Sequence, residues 1–390
     1  MQSFRAHLLF FAMSLASIAT NAQVWQMQDS GTTAGLRGID SVDGKVAWAS
    51  GTGGTVLKTI DGGAHWTQCA VPDADKDGAT LDFRGVQAWD ATTAIVMASG
   101  PGDKSRLYKT SDGCGTWKLL FRNTEKEGFW DAIRITGQNT GLLIGDPIPK
   151  KEFERFKVKT FFIFPLYGTV DRGKTWKRLD GNILFAFSIG SAGKPTESIF
   201  AASNSSLLET ANHRWIFYVL GGNKAFLEML EFVDKASPLI CKSPCTMTGG
   251  AKLPLSAGQT AGGFSIAVRD GDTAAPKLVV VGGDYSKPAE QAGTAAVCFR
   301  VESDPPFLTS FNCEASTEFP HGYRSAVEWS ESIKAWITVG TNGSDISRDD
   351  GKTWQPLDDG NWNALSLPFV VGPNGRIAKL HAAALPASKP

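Results

Sequence analysis

At 390 residues the chain is long enough for one large domain or two ordinary ones. Its 39 lysines and arginines balance 39 aspartates and glutamates, so no net field draws it towards nucleic acid or an anionic membrane. With 42 glycines, 12 tryptophans and hardly any long amphipathic helical pattern, the composition points to short strands joined by turns.

The first 22 residues combine a basic start at Arg5, an apolar run from Leu8 to Ala19 and small residues ending at Ala22. This is the pattern of a secretory signal peptide, which places the mature start at Gln23. No cysteine follows the cut, so a lipid anchor is not expected, and no later apolar run is long enough to span a bilayer. The expectation is an exported protein, periplasmic or secreted, without a transmembrane segment once the signal is removed. Nucleic acid is not expected as a partner, for lack of both compartment and motif.

Four phrases then recur: TIDGGAHW at 59–66, TSDGCGTW at 110–117, TVDRGKTW at 169–176 and SRDDGKTW at 347–354. Each reads Ser/Thr-x-Asp-x-Gly-x-x-Trp, with Cys114 breaking the glycine column. Asp61, Asp112 and Asp171 follow one another at intervals of 51 and 59 residues, and Asp349 lies about three such intervals further on. Periods of this size indicate propeller blades rather than separate domains. A second phrase recurs beside the boxes: LRGI (36–39), FRGV (83–86), WDAI (130–133), GFSI (263–266), YRSA (323–326) and WNAL (362–365). An apolar run ending in Gly or a polar turn follows each. These are expected to be the innermost and second strands of four-stranded blades. Between 177 and 260 the register blurs. There IFAASNSS (199–206) with RWIFYVLGGNKAF (214–226) is taken as one more blade, and AFSI (186–189) competes for its inner strand.

The total is seven blades. The last lacks its own box, and VWQMQ (24–28) resembles the HWTQC and TWKLL strands, so the N-terminal strand is expected to close the ring. Closure removes the open sheet edges through which all-β proteins aggregate. The prediction is therefore an all-β, seven-bladed β-propeller over 23–382, preceded by the signal (1–22) and followed by a flexible tail (383–390).

Within a box, the Ser/Thr and Asp side chains can hydrogen-bond the backbone of a tight turn, and glycine can take a positive φ. The tryptophan is expected to start the outer strand and pack its ring on the turn. Asp61, Asp112, Asp171 and Asp349, with Trp66, Trp117, Trp176 and Trp354, are accordingly assigned to architecture rather than catalysis. Six cysteines in an oxidising compartment favour disulfides, and six allow 15 pairings. Cys298 and Cys313 flank the turn where the fifth blade should carry a box, which suggests a disulfide stapling that hairpin. Cys241 and Cys245 have no second ligand pair nearby, so a metal site is not expected.

Inner strands begin, and second strands end, on one face of a propeller. Arg37, Arg84, Asp131, Arg324 and Asn363 stand at the inner starts with Tyr323 beside them, and Asp146, Asp284 and Tyr285 at the second-strand ends. The connection after Asp146, including Lys150 and Lys151, carries five basic and two acidic residues between Lys150 and Lys159. This gathers a basic, partner-binding face with a few carboxylates, although Arg–Asp pairs at a channel mouth could equally tie neighbouring blades together.

Enzymatic readings find less support. Arg37, Arg84 and Arg324 could imitate the arginine triad of a sialidase-like glycosidase, with Tyr285 or Tyr323 as nucleophile and Glu290 or Glu328 as its assistant. The Arg-Ile-Pro phrase expected there is absent, however. A redox enzyme would need a cofactor, and GTGGTV (51–56) and GPGDKS (100–105) fail the Gly-x-Gly-x-x-Gly pattern. The single histidines His65, His213, His321 and His381 suggest no metal centre. No catalytic residue, metal or cofactor is assigned.

The box resembles the Asp-box of bacterial neuraminidase repeats. Together, GTGGTVLKTIDGGAHW and GSDISRDDGKTW resemble the photosystem II stability/assembly factor family, while GFWDAI, GGDY and HGYRSA look closer to a bacterial branch found also outside photosynthetic organisms. Some members of that branch carry an oxidoreductase label. The resemblance implies an exported, non-enzymatic propeller that holds a membrane-protein or protein-complex intermediate on a basic face. In a photosynthetic host it would work in the equivalent of the thylakoid lumen. A glycan partner or glycoside hydrolysis is the alternative, and a redox enzyme the second alternative.

Overall fold

The computed structural model describes residues 23–73, 76–153, 158–179, 195–232, 246–269, 276–301 and 310–386, with backbone only at 150–153, 158–161, 231–232 and 246–248. Residues 1–22, expected as a signal peptide, Cys241, Cys245 and the AFSI phrase lie outside the described residues. The described strands form seven antiparallel blades of four strands each. Blade one runs Leu36–Ser41, Ala47–Gly51, Val56–Thr59, Thr67–Gln68. Blade two runs Phe83–Ala88, Ala94–Ala98, Arg106–Thr110, Lys118–Arg122. Blade three uses Trp130–Ile135, Gly141–Gly145, Leu166–Thr169 and Lys177–Arg178, with an extra hairpin, Ile148–Phe153 and Val158–Ile163, inserted after its second strand.

Blade four is Leu207–Glu209, Trp215–Gly222, Phe226–Phe232 and Thr246–Lys252, and blade five is Gly258–Val268, Lys277–Asp284, Ala295–Val301 and Ser310–Ala315. These two are joined where Gly221 and Gly222 pair with Gly262 and Gly258. A Cβ on Gly262 would sit 2.1 Å from the Gly221 Cα, so only glycine lets the backbones meet. Blade six runs Ala326–Ser330, Ala335–Gly340, Gly343–Ser347, Gln355–Asp358. Blade seven takes Ala364–Ser366, Phe369–Val371 and Ile377–Leu380, and Trp25–Gln28 pairs with the last of these to close the ring. Beyond it the chain is not a free tail over 383–386: Leu385 packs on the cluster between blades six and seven, and the Pro386 carbonyl accepts from Arg348 at 3.2 Å.

The four boxes share one geometry, each between the third and fourth strands of its blade. The Thr59, Thr110, Thr169 or Ser347 hydroxyl donates to its box aspartate at 2.8–2.9 Å. The same oxygen accepts the N–H of Gly63, Cys114, Gly173 or Gly351 at 2.9–3.0 Å. The aspartate then receives the N–H four residues on, that of His65, Thr116, Thr175 or Thr353. These bonds favour the charged form. Thr116 and Thr110 hold Asp112 down to about 2, and Asp61 falls below the usual range through His65 and Thr59.

The tryptophans do more than cap their own turns; they reach the preceding blade. Trp66 meets Phe369 of blade seven edge-on at 5.7 Å, and Trp117 meets Trp48 of blade one at 6.5 Å. Trp176 joins Ile95 and Met97 of blade two, and Trp354 joins Val279 and Val281 of blade five. Trp25 follows the same rule, donating its indole N–H to Ser344 of blade six at 2.9 Å. Full burial of such a ring removes on the order of 200 Å² from water, a gross gain of about 5 kcal/mol that Trp25, Trp176 and Trp354 approach, while Trp66 and Trp117 are half-buried and gain less.

The glycine column faces the same seam. A Cβ at Gly173 would meet Ile95 at 2.5 Å and one at Gly351 would meet Val279 at 3.0 Å. Cys114 occupies this position in blade two with φ +76°, a conformation costly for a residue with a Cβ, and is bonded to Cys69 of blade one. In blade two, therefore, a covalent link replaces the glycine contact. In blade five, Cys298 and Cys313 lie directly opposite in register and are joined by a disulfide.

Exchanging both Cys69 for Ser and Cys114 for Gly should lower unfolding stability by about 3–4 kcal/mol, the chain-entropy value for a closed loop of this length. Cys69→Ser with Cys114→Ala should lose about a further 1 kcal/mol, because alanine keeps the Cβ at positive φ. Urea unfolding of the two variants would read both effects, and equal stability would contradict the second.

Candidate functional site

In blades one, two, three and five the inner strand carries a bulge near its start, where the register slips across Leu36/Gly38, Phe83/Gly85, Trp130/Ala132 and Gly263/Ser265. The residues left out of the ladder are Arg37, Arg84, Asp131 and Phe264. A bulge re-aims its unpaired side chain, and here it turns all four towards one mouth of the central channel. Phe264 was legible in the phrase GFSI, where it occupies the position of the two arginines.

That mouth has a floor. The segment 199–206, expected as an inner strand, instead crosses the axis, and blade four's inner strand is Leu207–Glu209. The Ile199 N–H donates to Asp146 of blade three at 3.1 Å, and the Ala201 carbonyl accepts from Arg84 of blade two at 3.4 Å. The Asn204 amide oxygen accepts the Ile133 N–H of blade three at 2.7 Å. The Ser203 hydroxyl donates to the Ser325 carbonyl of blade six at 2.5 Å, and Ser205 bonds Ser265 of blade five at 2.7 Å. A segment leading into blade four can touch blades two, three, five and six only by lying across the channel.

Above this plug, Arg84 donates to Asp82 at 2.8 Å, and Arg37 approaches the same carboxylate oxygen at 3.9 Å. Asp82 lies two residues before Arg84, on the same side of an extended segment, and was the missing member of the sequence-derived set. Arg37 and Arg84 keep 36% and 28% of their side-chain surface exposed, enough to meet a ligand. Beside them Phe200 of the plug stacks on Phe264 at 4.2 Å, and the exposed Tyr285 packs edge-on against both rings at 6.2 Å. Tyr323 is buried behind Phe264 at 4.8 Å, with its hydroxyl pushed above the ordinary range by burial.

The buried Asp131 and the half-buried Asp146 form a pair of carboxylates at the edge of the mouth. Burial raises Asp131 well above the usual range, the Asp146 charge adds to this, and Arg84 opposes it. Burial brings Asp146 up to about 6 against the hydrogen bond from Ile199. Asp284 behaves oppositely. Burial disfavours its charge, but bonds from Ser286 and Thr260 at 2.7 Å outweigh that and hold it below the usual range. The side chain of Asn363 donates to the Leu36 carbonyl at 2.8 Å, tying blade seven to blade one. Lys150 and Lys151 lie on the inserted hairpin, where only the backbone is described.

Arg324 requires a correction. It is fully buried, its guanidinium bonded to Asp345 at 2.6 Å, the Tyr323 carbonyl at 2.6 Å and His321 at 2.9 Å. Asp345 is also fully buried, so the pair is sealed inside blade six and unavailable to a partner. Spacing placed Arg324 in the column of Arg37 and Arg84, but its N–H donates to the Gly282 carbonyl of blade five at 2.9 Å, as that of Leu36 donates to Gly372 of blade seven at 3.0 Å, so Arg324 takes the place of the buried Leu36. An arginine triad is consequently not assembled at this mouth.

No family model matches the chain. A photosystem II assembly lipoprotein, Ycf48, of Synechococcus sp. (strain CC9902) is 24% identical over 156 residues, covering 39% of each chain. Ycf48 from Cyanidioschyzon merolae superposes with a TM-score of 0.58 at 18% identity, covering 92% of this chain and 99% of its own. The fold is that of the photosystem II assembly factors. A structure of Ycf48 bound to a D1 peptide gives a TM-score of 0.55 at 15% identity, covering 92% of this chain and 95% of that one. The resemblance read from the blade phrases is thus borne out, while the aligned sequence spans well under half the length of the curated relative.

Arg324→Ala should destabilise the protein by about 3–5 kcal/mol in chemical unfolding, because it strands the buried Asp345 charge; a loss below 1 kcal/mol would contradict the sealed pair. For Asp146 the folded-state pKa is raised, so the folded protein holds the extra proton and loses stability as pH rises from about 4 through about 6. Asp146→Asn should therefore gain on the wild type across that window and run parallel to it above pH 7. Urea titrations at four pH values would show it, and a constant difference would refute it.

Proposed function

We propose that the chain is an exported, non-enzymatic scaffold that holds a segment of a partner protein on the plugged mouth, as an assembly factor holds an intermediate. The observation that carries this reading is the mouth itself, where two half-exposed arginines adjoin the exposed ring of Tyr285, which packs on Phe200 of the plug and on the buried Phe264. Its floor is the chain's own backbone, so a ligand rests on the face and does not thread the channel. Arginine on one side and Tyr285 with the half-buried Phe200 on the other suit a peptide bearing an acidic residue next to an apolar one. That a protein of this fold has been seen with a D1 peptide bound supports a peptide partner. Disulfides Cys69–Cys114 and Cys298–Cys313 support export, and no helix among the described residues is long and apolar enough to cross a membrane. The box aspartates, held in their turns, serve the architecture, and the lysines of the inserted hairpin extend the basic face.

The test is capture of membrane-protein intermediates from host membrane extract by the chain from residue 23 onwards, compared with Arg37→Ala plus Arg84→Ala. Both arginines are partly exposed, so the double variant should melt within about 3 °C of the wild type yet recover at least tenfold less partner. Recovery should also weaken as salt is raised. Equal recovery by both proteins would overturn the assignment of this face.

A further inference from the structure

Beneath the plug lies a second chamber. The far ends of all seven inner strands line a funnel of about 480 Å³, opening on the face opposite the arginine mouth. Its ceiling is the hydroxyl chain of the plug, where Ser203 bonds Ser205 at 2.6 Å and Ser205 bonds Ser265. Its volume is that of a small-molecule site and its walls mix apolar surface, including Ile266 and Trp329, with few charges.

The charges are unevenly committed. Glu209 is engaged by His213 at 2.8 Å, and Glu328 accepts the Leu367 N–H at 2.9 Å. Arg134 forms no ion pair with any described residue. Asp40 accepts the Ala88 N–H through one oxygen at 2.6 Å and senses the Arg134 charge without reaching it. Asp40 belongs to blade one and Arg134 to blade three, with the short side chain of Ala88 in blade two between them. Opposite charges that face one cavity yet stand too far apart to pair leave both half-neutralised in a partly desolvated place, an arrangement that a bridging ligand would complete. Burial accordingly lifts Asp40 to about 6 against both Ala88 and Arg134.

We propose that this funnel binds a small zwitterion of the amino-acid class, its ammonium group on Asp40 and its carboxylate on Arg134, independently of the partner-binding mouth. Ala88 leaves room for the ligand backbone between the two charges, and Ile266 with Trp329 offers an apolar wall for a side chain or methylene spacer.

Titration calorimetry on the full chain with glycine, β-alanine, 4-aminobutanoate and 6-aminohexanoate tests this, since the reach between ammonium and carboxylate grows along the series. Saturable binding with a preferred length is expected. It should weaken at least tenfold in Asp40→Asn, which still accepts the Ala88 N–H, and in Arg134→Gln. Arg84→Ala, at the other mouth, should leave it unchanged. Arg134→Lys keeps the charge and should retain measurable binding, and thermal melts of every variant separate lost binding from lost fold. No saturable heat from any of the four compounds would overturn the proposal. So would 1,4-diaminobutane binding as tightly and surviving Arg134→Gln, because the funnel would then read cations alone.

Discussion

In five of the seven blades a tryptophan beside the outer strand packs on the preceding blade. The box turn presents a tryptophan, and behind it a position tight enough for glycine, to the flank of the preceding blade, and this handing-on gives the ring its cohesion. Trp66 reaches blade seven, Trp117 blade one, Trp176 blade two and Trp354 blade five, while Trp25 carries the rule across the closure to blade six. The box aspartate serves this contact indirectly. By holding the N–H groups of the turn it fixes the backbone that aims the indole, and its low pKa is a by-product of those bonds. Where blade two gives up the glycine, the Cys69–Cys114 bond spans the same seam.

A ring of blades has a hole, and here the chain fills it with itself. The crossing segment satisfies its polar groups on four different blades, so the channel is divided into two basins with different chemistry. One carries arginines and an exposed tyrosine; the other is a funnel mixed in charge. A plugged propeller is suited to binding on its faces and poorly suited to passing anything through.

The mouth also sets charges against one another. Asp82 balances both arginines, while Asp131 and Asp146, set side by side, resist ionising together. The electrostatics near Arg84 therefore depend on whether that pair holds its proton. Arg324 illustrates the opposite outcome: with Asp345 beside it, an arginine of the same column becomes an internal fastening.

The sequence by itself determined the blade count, the position of the turns and the closure by the first strand, because these rest on local hydrogen-bond chemistry repeated at a fixed interval. Ser/Thr, Asp and Gly act within a few residues of one another, so their pattern survives in one dimension. It also disclosed the column of residues at the inner starts. Only the tertiary structure decided which members of that column reach solvent, because a one-residue bulge turns Arg37 and Arg84 outwards while Arg324 stands in the place of the buried Leu36. It likewise decided that 199–206 is a plug rather than a strand, since the partners that hold Ser203 and Asn204, Ser325 and Ile133, lie 122 and 71 residues away along the chain. The direction of each tryptophan belongs to the same class. The box says that a ring will emerge from the turn, but the flank it covers exists only once the neighbouring blade has been laid beside it.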